Sequence, residues 1–174
     1  MAMTTNTEDT NAAQGGEQIG SDEQLQLVSF VVADEEFAVD ILSVHEINKM
    51  MELTRVPQSP PEVEGVINLR GRIIPVVDLR RKFGMPESER TDQTRVVVVE
   101  VRGRVIGFIV DSVNEVLRIR SSIVDTGAQM TASINADFIA GVGKLSDRLL
   151  ILLDLPKLFG HGELEELSQL AGAA

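Results

Sequence analysis

The sequence contains no cysteine, tryptophan or tyrosine, and its only aromatic residues are six phenylalanines. The absence of cysteine excludes disulfides, thiolate nucleophiles and cysteine-based zinc sites. So few aromatic rings offer little surface on which nucleic-acid bases could stack. No run approaches the roughly 18 apolar residues of a membrane-spanning helix, and the N-terminal residues lack the basic and apolar regions of a signal peptide. We therefore expect a soluble intracellular protein.

Negative charge is concentrated at the two ends of the chain. The whole chain has 16 basic and 27 acidic residues, a net charge of −11. Residues 1–23 contribute −5 and residues 161–174 contribute −3, so residues 24–160 carry −3 and all 16 basic residues. Such a distribution argues against nucleic acid as the main ligand, because that ligand selects a basic surface. We interpret residues 1–23, which are polar and acidic, as a disordered acidic tail.

From Gln24 onwards the chain is a series of short apolar runs separated by turn residues. Valine and isoleucine dominate these runs, which favours strands over helices. The 174 residues are 43% hydrophobic, enough for the core of one domain or of two small ones. The pattern predicts an all-β fold built from hairpins.

An internal repeat gives the predicted organisation. Residues 65–84 align without gaps on residues 141–160 at an offset of 76, with eight of 20 positions identical. Upstream, Ser43–Ile47 aligns on Ser112–Val116 at an offset of 69, so the second copy has seven extra residues, which we place within residues 121–137. We infer two homologous modules, each a hairpin followed by a closing strand pair. Small modules of this kind curl readily into barrels, since a closed sheet has no free edge.

Two aspartates invite a catalytic interpretation, but their context favours a structural one. Asp78 and Asp154 each precede a Leu-x-x-x-Phe-Gly segment, which predicts that each caps the start of a short helix. Gly84 and Gly160 then fall where those helices would end. The only histidines, His45 and His161, have no nucleophile motif nearby, and no cluster of metal ligands is visible.

The C-terminal residues 161–174 predict a tail or short amphipathic helix, because Leu164, Leu167 and Leu170 recur at helical spacing. Such a segment either docks on its own domain or binds a partner. Both alternatives stay open from the sequence.

The turn Arg70–Gly71–Arg72 lies between two apolar strands, and comparison of the copies singles out one of its arginines. Glu46 aligns with Glu115, whereas Arg70 aligns with Ser146. The first copy thus has a glutamate and an arginine near the ends of neighbouring strands, and the second copy has lost the arginine. An exposed ion pair contributes only about 0–1 kcal/mol to stability, so this difference is what makes Arg70 a candidate functional residue.

The sequence resembles the CheW family of bacterial chemotaxis adaptors. The segment EGVINLRGRIIPVVDLRRKFG resembles the family signature, FAVDILSVHEI resembles its first hairpin, and RVIGFIVDSVNEVLRI and FIAGVGKLSDRLLILLDLPKLF resemble its second half. The resemblance extends from about Gln24 to Phe159. It implies two SH3-like five-stranded β-barrel subdomains with short helices, which we assign to residues 24–88 and 89–160.

The resemblance also implies a function. A CheW-type protein is a non-enzymatic adaptor without cofactors, which couples the cytoplasmic tips of chemoreceptors (methyl-accepting chemotaxis proteins) to the regulatory domain of the histidine kinase CheA. It would be cytoplasmic, associated with membrane receptor arrays and not itself inserted in the membrane. The same role in a pathway controlling pili or development is an alternative. A small ligand-binding β-barrel is a further alternative, and it would require a clustered polar pocket.

Family site positions carry over to individual residues of this chain. The receptor-facing charged pair matches Glu46 and Arg70, which we expect to flank an apolar groove between the barrels. We expect reversal of charge at Arg70 to weaken receptor binding without unfolding the barrel. His45 and Asn48 stand where relatives carry Gln and Arg, which bears on specificity for one receptor or kinase over another. The remaining receptor-binding positions match Ile41, Val44, Ile47, Gly107 and Val113, and further contact positions match Gly65 and Asn68.

Overall fold

A computed structural model of the chain describes residues 23–126 and 136–173. The predicted N-terminal tail, apart from Glu23, lies outside the described residues, as does the middle of the predicted insertion at 121–137. Within these described residues, three short 3₁₀ helices are Ile41–Ser43, Ser121–Ile123 and Ala136–Phe138. The α-helices are α1 (Leu79–Lys82), α2 (Leu155–Leu158) and α3 (His161–Ala173). The strands are β1 (Gln24–Val32), β2 (Glu35–Asp40), β3 (Val44–Lys49), β4 (Val63–Leu69), β5 (Arg72–Asp78), β6 (Arg95–Val101), β7 (Arg104–Val110), β8 (Ser112–Arg120), β9 (Val124–Asp125), β10 (Ile139–Lys144) and β11 (Leu149–Leu153).

The strands form two sheets. One has the order β3-β6-β7-β5-β4 and is called the first barrel below; the other has the order β8-β1-β2-β11-β10-β9 and is called the second barrel. In the first barrel, Thr54 and Val66 exchange backbone hydrogen bonds, which pair the segment after β3 with β4. In the second barrel β9, which follows β8, pairs with β10 in the same way. The predicted all-β class with two subdomains and short helices is confirmed.

The two barrels are built alike, as the internal repeat predicts. Replacing β3, β6, β7, β5 and β4 by their counterparts in the other copy gives β8, β1, β2, β11 and β10, the observed order of the second barrel. The parallel pairs also correspond: Val76 lies opposite Gly107 in one barrel, and Leu152 lies opposite Ala38 in the other. These pairs are related by the offsets of 76 and 69 found in the sequence.

Each barrel takes its first hairpin from the other half of the chain. The β1–β2 hairpin pairs with β8 and β11, and the β6–β7 hairpin pairs with β3 and β5. The pairing therefore cuts across the predicted division into residues 24–88 and 89–160. The crossings are short: the 3₁₀ turn Ile41–Ser43 leads from β2 in the second barrel to β3 in the first, and Asp111 leads from β7 back to β8.

The apolar side chains form one shared core between the sheets and a smaller core inside each barrel. Phe30, Phe37 and Phe108 lie in the shared core and are fully buried. Valines in β6 point alternately to the shared core, as Val97 does, and to the first barrel's own core, as Val98 does. This is why β6 reads as an unbroken valine run rather than as an alternating pattern.

Helix α3 completes the shared core. Leu164 and Leu167 are 1% exposed and pack in that core, so this part of the C-terminal segment docks on its own domain. Lys82 of α1 forms an ion pair with Glu163 at the start of α3. None of the helices in the part of the chain that the structure describes is long and apolar enough to cross a membrane.

Both predicted helix caps are confirmed. The Asp78 side chain accepts a hydrogen bond from the backbone N–H of Arg80 at 2.9 Å, and Asp154 accepts one from Lys157 at 3.1 Å. Gly84 ends the first helix with a φ of 74°, a conformation that glycine adopts without strain. Gly160 likewise follows the end of α2, two residues after Leu158, and its carbonyl accepts the first hydrogen bond of α3, from Leu164.

Candidate functional site

Glu46 and Arg70 form a two-armed ion pair at one end of the first barrel. Arg70 donates from Nη1 to Glu46 Oε2 at 2.5 Å and from Nη2 to Oε1 at 3.2 Å. The Arg70 side chain is 78% exposed and that of Glu46 is 23% exposed. The hydrogen bonds from Arg70 hold the pKa of Glu46 below its ordinary value, so this carboxylate is ionised at neutral pH. Structure thus brings together the two charged residues that the sequence singled out.

A tight turn fixes the position of Arg70. Leu69 and Arg72 are the last paired residues of the β4–β5 hairpin, and Arg70 and Gly71 between them have φ angles of 52° and 84°. Positive φ at both central positions matches the type I′ turn, whose twist suits a hairpin. Asn68 supports the turn, because its Oδ1 accepts a hydrogen bond from the Gly71 N–H at 2.9 Å. Asn68, a predicted contact residue, therefore acts on the position of Arg70.

A bulge in β3 directs the partner side chain. The register shifts between Val44, opposite Val99, and Glu46, opposite Val98, which leaves His45 as the additional residue. Val99 belongs to the shared core and Val98 to the first barrel's own core. The bulge thus places Val44 on the side of the shared core and Glu46 on the side of the barrel interior, towards Arg70.

Four aliphatic residues on β3 and β8 are called the apolar strip below: Val44, Ile47, Val113 and Val116. Val44 and Val113 are partly buried and pack against that core. Ile47 is 39% exposed and Val116 is 55% exposed. The offset of 69 relates Val44 to Val113 and Ile47 to Val116. Val116 was not among the predicted site residues, although the alignment of Ser43–Ile47 with Ser112–Val116 contains the signal.

Two predicted contact residues lie inside the barrel wall rather than on its surface. Gly65 and Gly107 are both buried. A Cβ at Gly65 would lie 2.5 Å from the Thr54 carbonyl oxygen, at the bridge that closes the first barrel. At Gly107 a Cβ would lie 3.1 Å from Val96 Cγ1. Close approach of the backbone therefore requires glycine at position 65, whereas a larger residue at position 107 would force the Val96 side chain to shift.

Ile41 lies apart from the apolar strip, in the 3₁₀ turn between the barrels, where it is half-buried. Its neighbour Leu42, which the sequence did not single out, is 88% exposed. The turn is held by Asp40, whose Oδ1 accepts a hydrogen bond from the Leu42 N–H at 2.8 Å. Leu42 and Ile41 line one side of a cavity of about 200 Å³ that Leu25 also borders.

The second barrel has a glutamate–arginine pair of its own, although Ser146 stands at the position equivalent to Arg70. Arg148 donates from Nη2 to Glu115 Oε2 at 3.1 Å, from Nε to Glu36 Oε1 at 2.6 Å and from Nη1 to Asp147 Oδ1 at 3.1 Å. Alignment by position missed this arginine because it lies two residues beyond Ser146, on the far side of the turn.

Glu36 is the most enclosed carboxylate of this cluster, with a side chain that is 10% exposed. Burial alone would raise the pKa of Glu36, but hydrogen bonds from Arg148 and Asn114 hold it below its ordinary value. In residues 23–126 and 136–173 no three His, Cys, Asp or Glu side chains are grouped so that they could hold a metal ion. Partly exposed aliphatic residues with charged residues beside them on the same strands suit recognition of another protein.

A family model described as the CheW-like domain matches residues 26–163. The chain belongs to the CheW family. It is 37% identical over 147 residues to a chemotaxis protein CheW of Helicobacter pylori, covering 84% of this chain and 88% of that protein. It is 34% identical over 149 residues to a chemotaxis protein CheW of Klebsiella aerogenes, covering 86% and 87%.

The fold agrees with a solved CheW structure. The crystal structure of the scaffolding protein CheW from Thermoanaerobacter tengcongensis matches with a TM-score of 0.75 and 35% sequence identity, covering 81% of this chain and 96% of that one. The predicted membership of the CheW family is thereby confirmed, and with it the general role of a scaffold in chemotaxis.

Proposed function

We propose that the protein is a non-enzymatic adaptor that couples chemoreceptor cytoplasmic tips to the regulatory domain of the histidine kinase CheA, acting in the cytoplasm at membrane receptor arrays. The observation that carries this proposal is the apolar strip, with the Glu46–Arg70 pair beside it. Family membership supplies the pathway, and the strip supplies a surface suited to a receptor.

The apolar strip is suited to the tip of a helical receptor. Ile47 and Val116 present aliphatic surface, and burial of such side chains gives the affinity in helix-in-groove recognition. Arg70 adds a mostly exposed guanidinium beside the strip, where it can pair with an acidic residue of the helix. Charged groups at the border of an interface contribute chiefly to register and specificity.

Within the charged pair the two residues have different roles. Both carboxylate oxygens of Glu46 already accept hydrogen bonds from Arg70, and the side chain is only 23% exposed. Glu46 is therefore a positioning residue, whereas Arg70 is the group that meets the receptor. Asn68 acts one step further back, through the turn that carries Arg70.

An adaptor that holds two partners at once needs a second surface, and we assign the kinase to the one around Leu42. Leu42 is 88% exposed, and its turn is fixed from beneath by Asp40. Its side chain, on a turn fixed by a hydrogen bond and beside a cavity, offers apolar surface that a partner protein can bury. Because Leu42 and Arg70 lie on different segments, a variant of one leaves the other intact.

The proposal is tested by measuring binding of a chemoreceptor cytoplasmic fragment and, separately, of a CheA regulatory domain to three variants. Arg70→Glu is expected to weaken receptor binding by about tenfold or more while leaving kinase binding unchanged. Leu42→Glu is expected to do the reverse. Lys157→Glu, an exposed charge reversal on α2, serves as the control and should alter neither.

Two results would count against the proposal in different ways. A folded wild-type protein that binds neither partner would overturn the adaptor function itself. An Arg70→Glu protein that binds the receptor like the wild type would leave the function standing and remove the proposed receptor surface.

A further inference from the structure

Next to the apolar strip, equivalent regions of the two barrels carry opposite net charge. Alignment at the two offsets pairs Glu46 with Glu115, Arg70 with Ser146, Gly71 with Asp147, Arg72 with Arg148 and Val105 with Glu36. The first rim, defined as Glu46, Arg70 and Arg72, has one carboxylate and two guanidinium groups. The second rim, defined as Glu36, Glu115, Asp147 and Arg148, has three carboxylates and one guanidinium group.

Exposure strengthens this contrast. On the first rim the arginine faces solvent, since Arg70 is 78% exposed and its glutamate only 23%. On the second rim the order is reversed: Glu115 is 52% exposed and Asp147 is 68% exposed, whereas Arg148 is 35% exposed and is held by the carboxylates around it. A partner therefore meets a cation at the first rim and carboxylates at the second.

The apolar strip does not carry such a difference. Its residues correspond as Val44 with Val113 and Ile47 with Val116, so both barrels contribute aliphatic side chains of similar size. An amphipathic helix lying along the strip would make similar apolar contacts in either direction. Apolar contacts can therefore supply affinity here without selecting an orientation, and discrimination has to come from the charges.

We propose that the second rim fixes the polarity of the helix bound on the strip. The bound helix, which on the proposed function belongs to a chemoreceptor tip, would present an acidic residue to Arg70 and a basic residue to Glu115 and Asp147. In the reversed orientation like charges would face each other at both rims, which disfavours that complex. Glu36 and Asn114 serve as supports, since Glu36 binds Arg148 and Asn114 donates to Glu36 at 3.1 Å.

Binding affinity gives the first test. A receptor cytoplasmic fragment is titrated against the wild type and a Glu115→Lys/Asp147→Lys variant at low and high salt. We expect the variant to bind about tenfold or more weakly at 0.1 M ionic strength, with the difference shrinking as salt rises. A Glu115→Gln/Asp147→Asn variant should lie between the two. Glu89→Lys, in the exposed loop before β6, makes the same charge change as either single substitution; it is the control and should match the wild type.

The orientation of the bound helix gives the second test. Because the protein has no native cysteine, a spin label can be attached at a single introduced cysteine. A nitroxide label on Ser146→Cys, an exposed position beside the second rim, broadens the NMR signals of receptor residues bound near it. In the wild-type background we expect broadening at one end of the receptor helix only. Adding Glu115→Lys and Asp147→Lys should spread the broadening to both ends.

The outcomes separate this inference from the function on which it rests. The inference would be overturned if the wild-type rim gave broadened NMR signals at both ends of the receptor helix. It would also be overturned if the folded Glu115→Lys/Asp147→Lys variant had the affinity and the broadening pattern of the wild type. If that happens while Arg70→Glu still weakens binding, the adaptor function survives. If the receptor fragment does not bind the folded wild type, the proposed function fails as well.

Discussion

Arg80 and Asp111 form a two-armed ion pair, with Nε 3.0 Å from Oδ1 and Nη2 2.6 Å from Oδ2. Asp111 Oδ2 also accepts a hydrogen bond from the Ala33 N–H at 2.9 Å. The pair thus joins α1, the junction between β7 and β8, and the turn between β1 and β2. Those segments meet where the chain crosses from one barrel to the other, so Asp111 connects the two halves of the fold.

We expect loss of this pair to lower the free energy of unfolding. The side chains are 18% and 33% exposed, and a charged hydrogen bond left without its partner costs about 1–3 kcal/mol. Asp111→Ala should therefore reduce stability in urea by roughly that amount, and the double variant with Arg80→Ala should lose less than the sum of the two single losses. Full additivity of the two changes would contradict the pairing. Arg72→Ala, the loss of an exposed arginine, is the control.

The exchange of hairpins predicts that neither half of the chain folds alone. A fragment of residues 1–88 lacks the β6–β7 hairpin of the first barrel, and a fragment of residues 89–174 lacks the β1–β2 hairpin of the second. We expect each fragment to be unfolded by circular dichroism and the equimolar mixture to regain the sheet signal. A protease site inserted near Glu89 should give a nicked protein that stays folded. Independent folding of either fragment would restore the division at residue 88 as a boundary between folding units.

Gly65 offers a test of whether a predicted contact position acts through packing. Its Cβ would lie 2.5 Å from the backbone oxygen of Thr54, so Gly65→Ala forces the barrel to shift and should cost about 1–3 kcal/mol of stability. Gly143→Ala is the matched control, since a Cβ there lies no closer than 3.5 Å to its neighbours. A Gly65→Ala protein with wild-type stability and weakened receptor binding would instead indicate a direct contact.

Acid should weaken the fold partly through Glu36. Its folded-state pKa is lowered by Arg148 and Asn114, so its contribution to stability is present above the ordinary carboxylate range and is lost as pH falls through the folded pKa. Between about pH 5 and pH 3 the wild type should therefore lose more stability than Glu36→Gln. Urea unfolding at both pH values measures the difference. Equal losses in the two proteins would show that Glu36 has no such linkage; Glu89→Gln controls for the charge change.

Much of the fold follows from the sequence because the duplication is visible in it. Asp78 and Asp154 predict their helices through local capping chemistry, and the alignment at offsets of 69 and 76 gives equivalent strands. Which hairpin belongs to which barrel does not follow, because the valine-rich β6 would fit a sheet in either half. That choice depends on long-range pairs such as Val76 with Gly107.

The candidate site, like the fold, could be predicted only in part from the sequence. Glu46 and Arg70 could be found because both match a family pattern and because Arg70 differs between the copies. Arg148 was not predicted as a site residue because its partner Glu36 is 112 residues away in the sequence and neither residue aligns with Arg70. Leu42 was not predicted as a site residue because an apolar residue in a β-rich run is expected to be buried. Its exposure comes from the 3₁₀ turn capped by Asp40.

The adaptor function is tested most directly by kinase autophosphorylation in a reconstituted mixture of receptor fragment, CheA-type kinase and this protein. With the wild type, we predict that kinase activity responds to the receptor. With Arg70→Glu, the response should be lost although the protein stays folded and still binds the kinase regulatory domain. A response that is equal with and without the folded wild-type protein would contradict the coupling role.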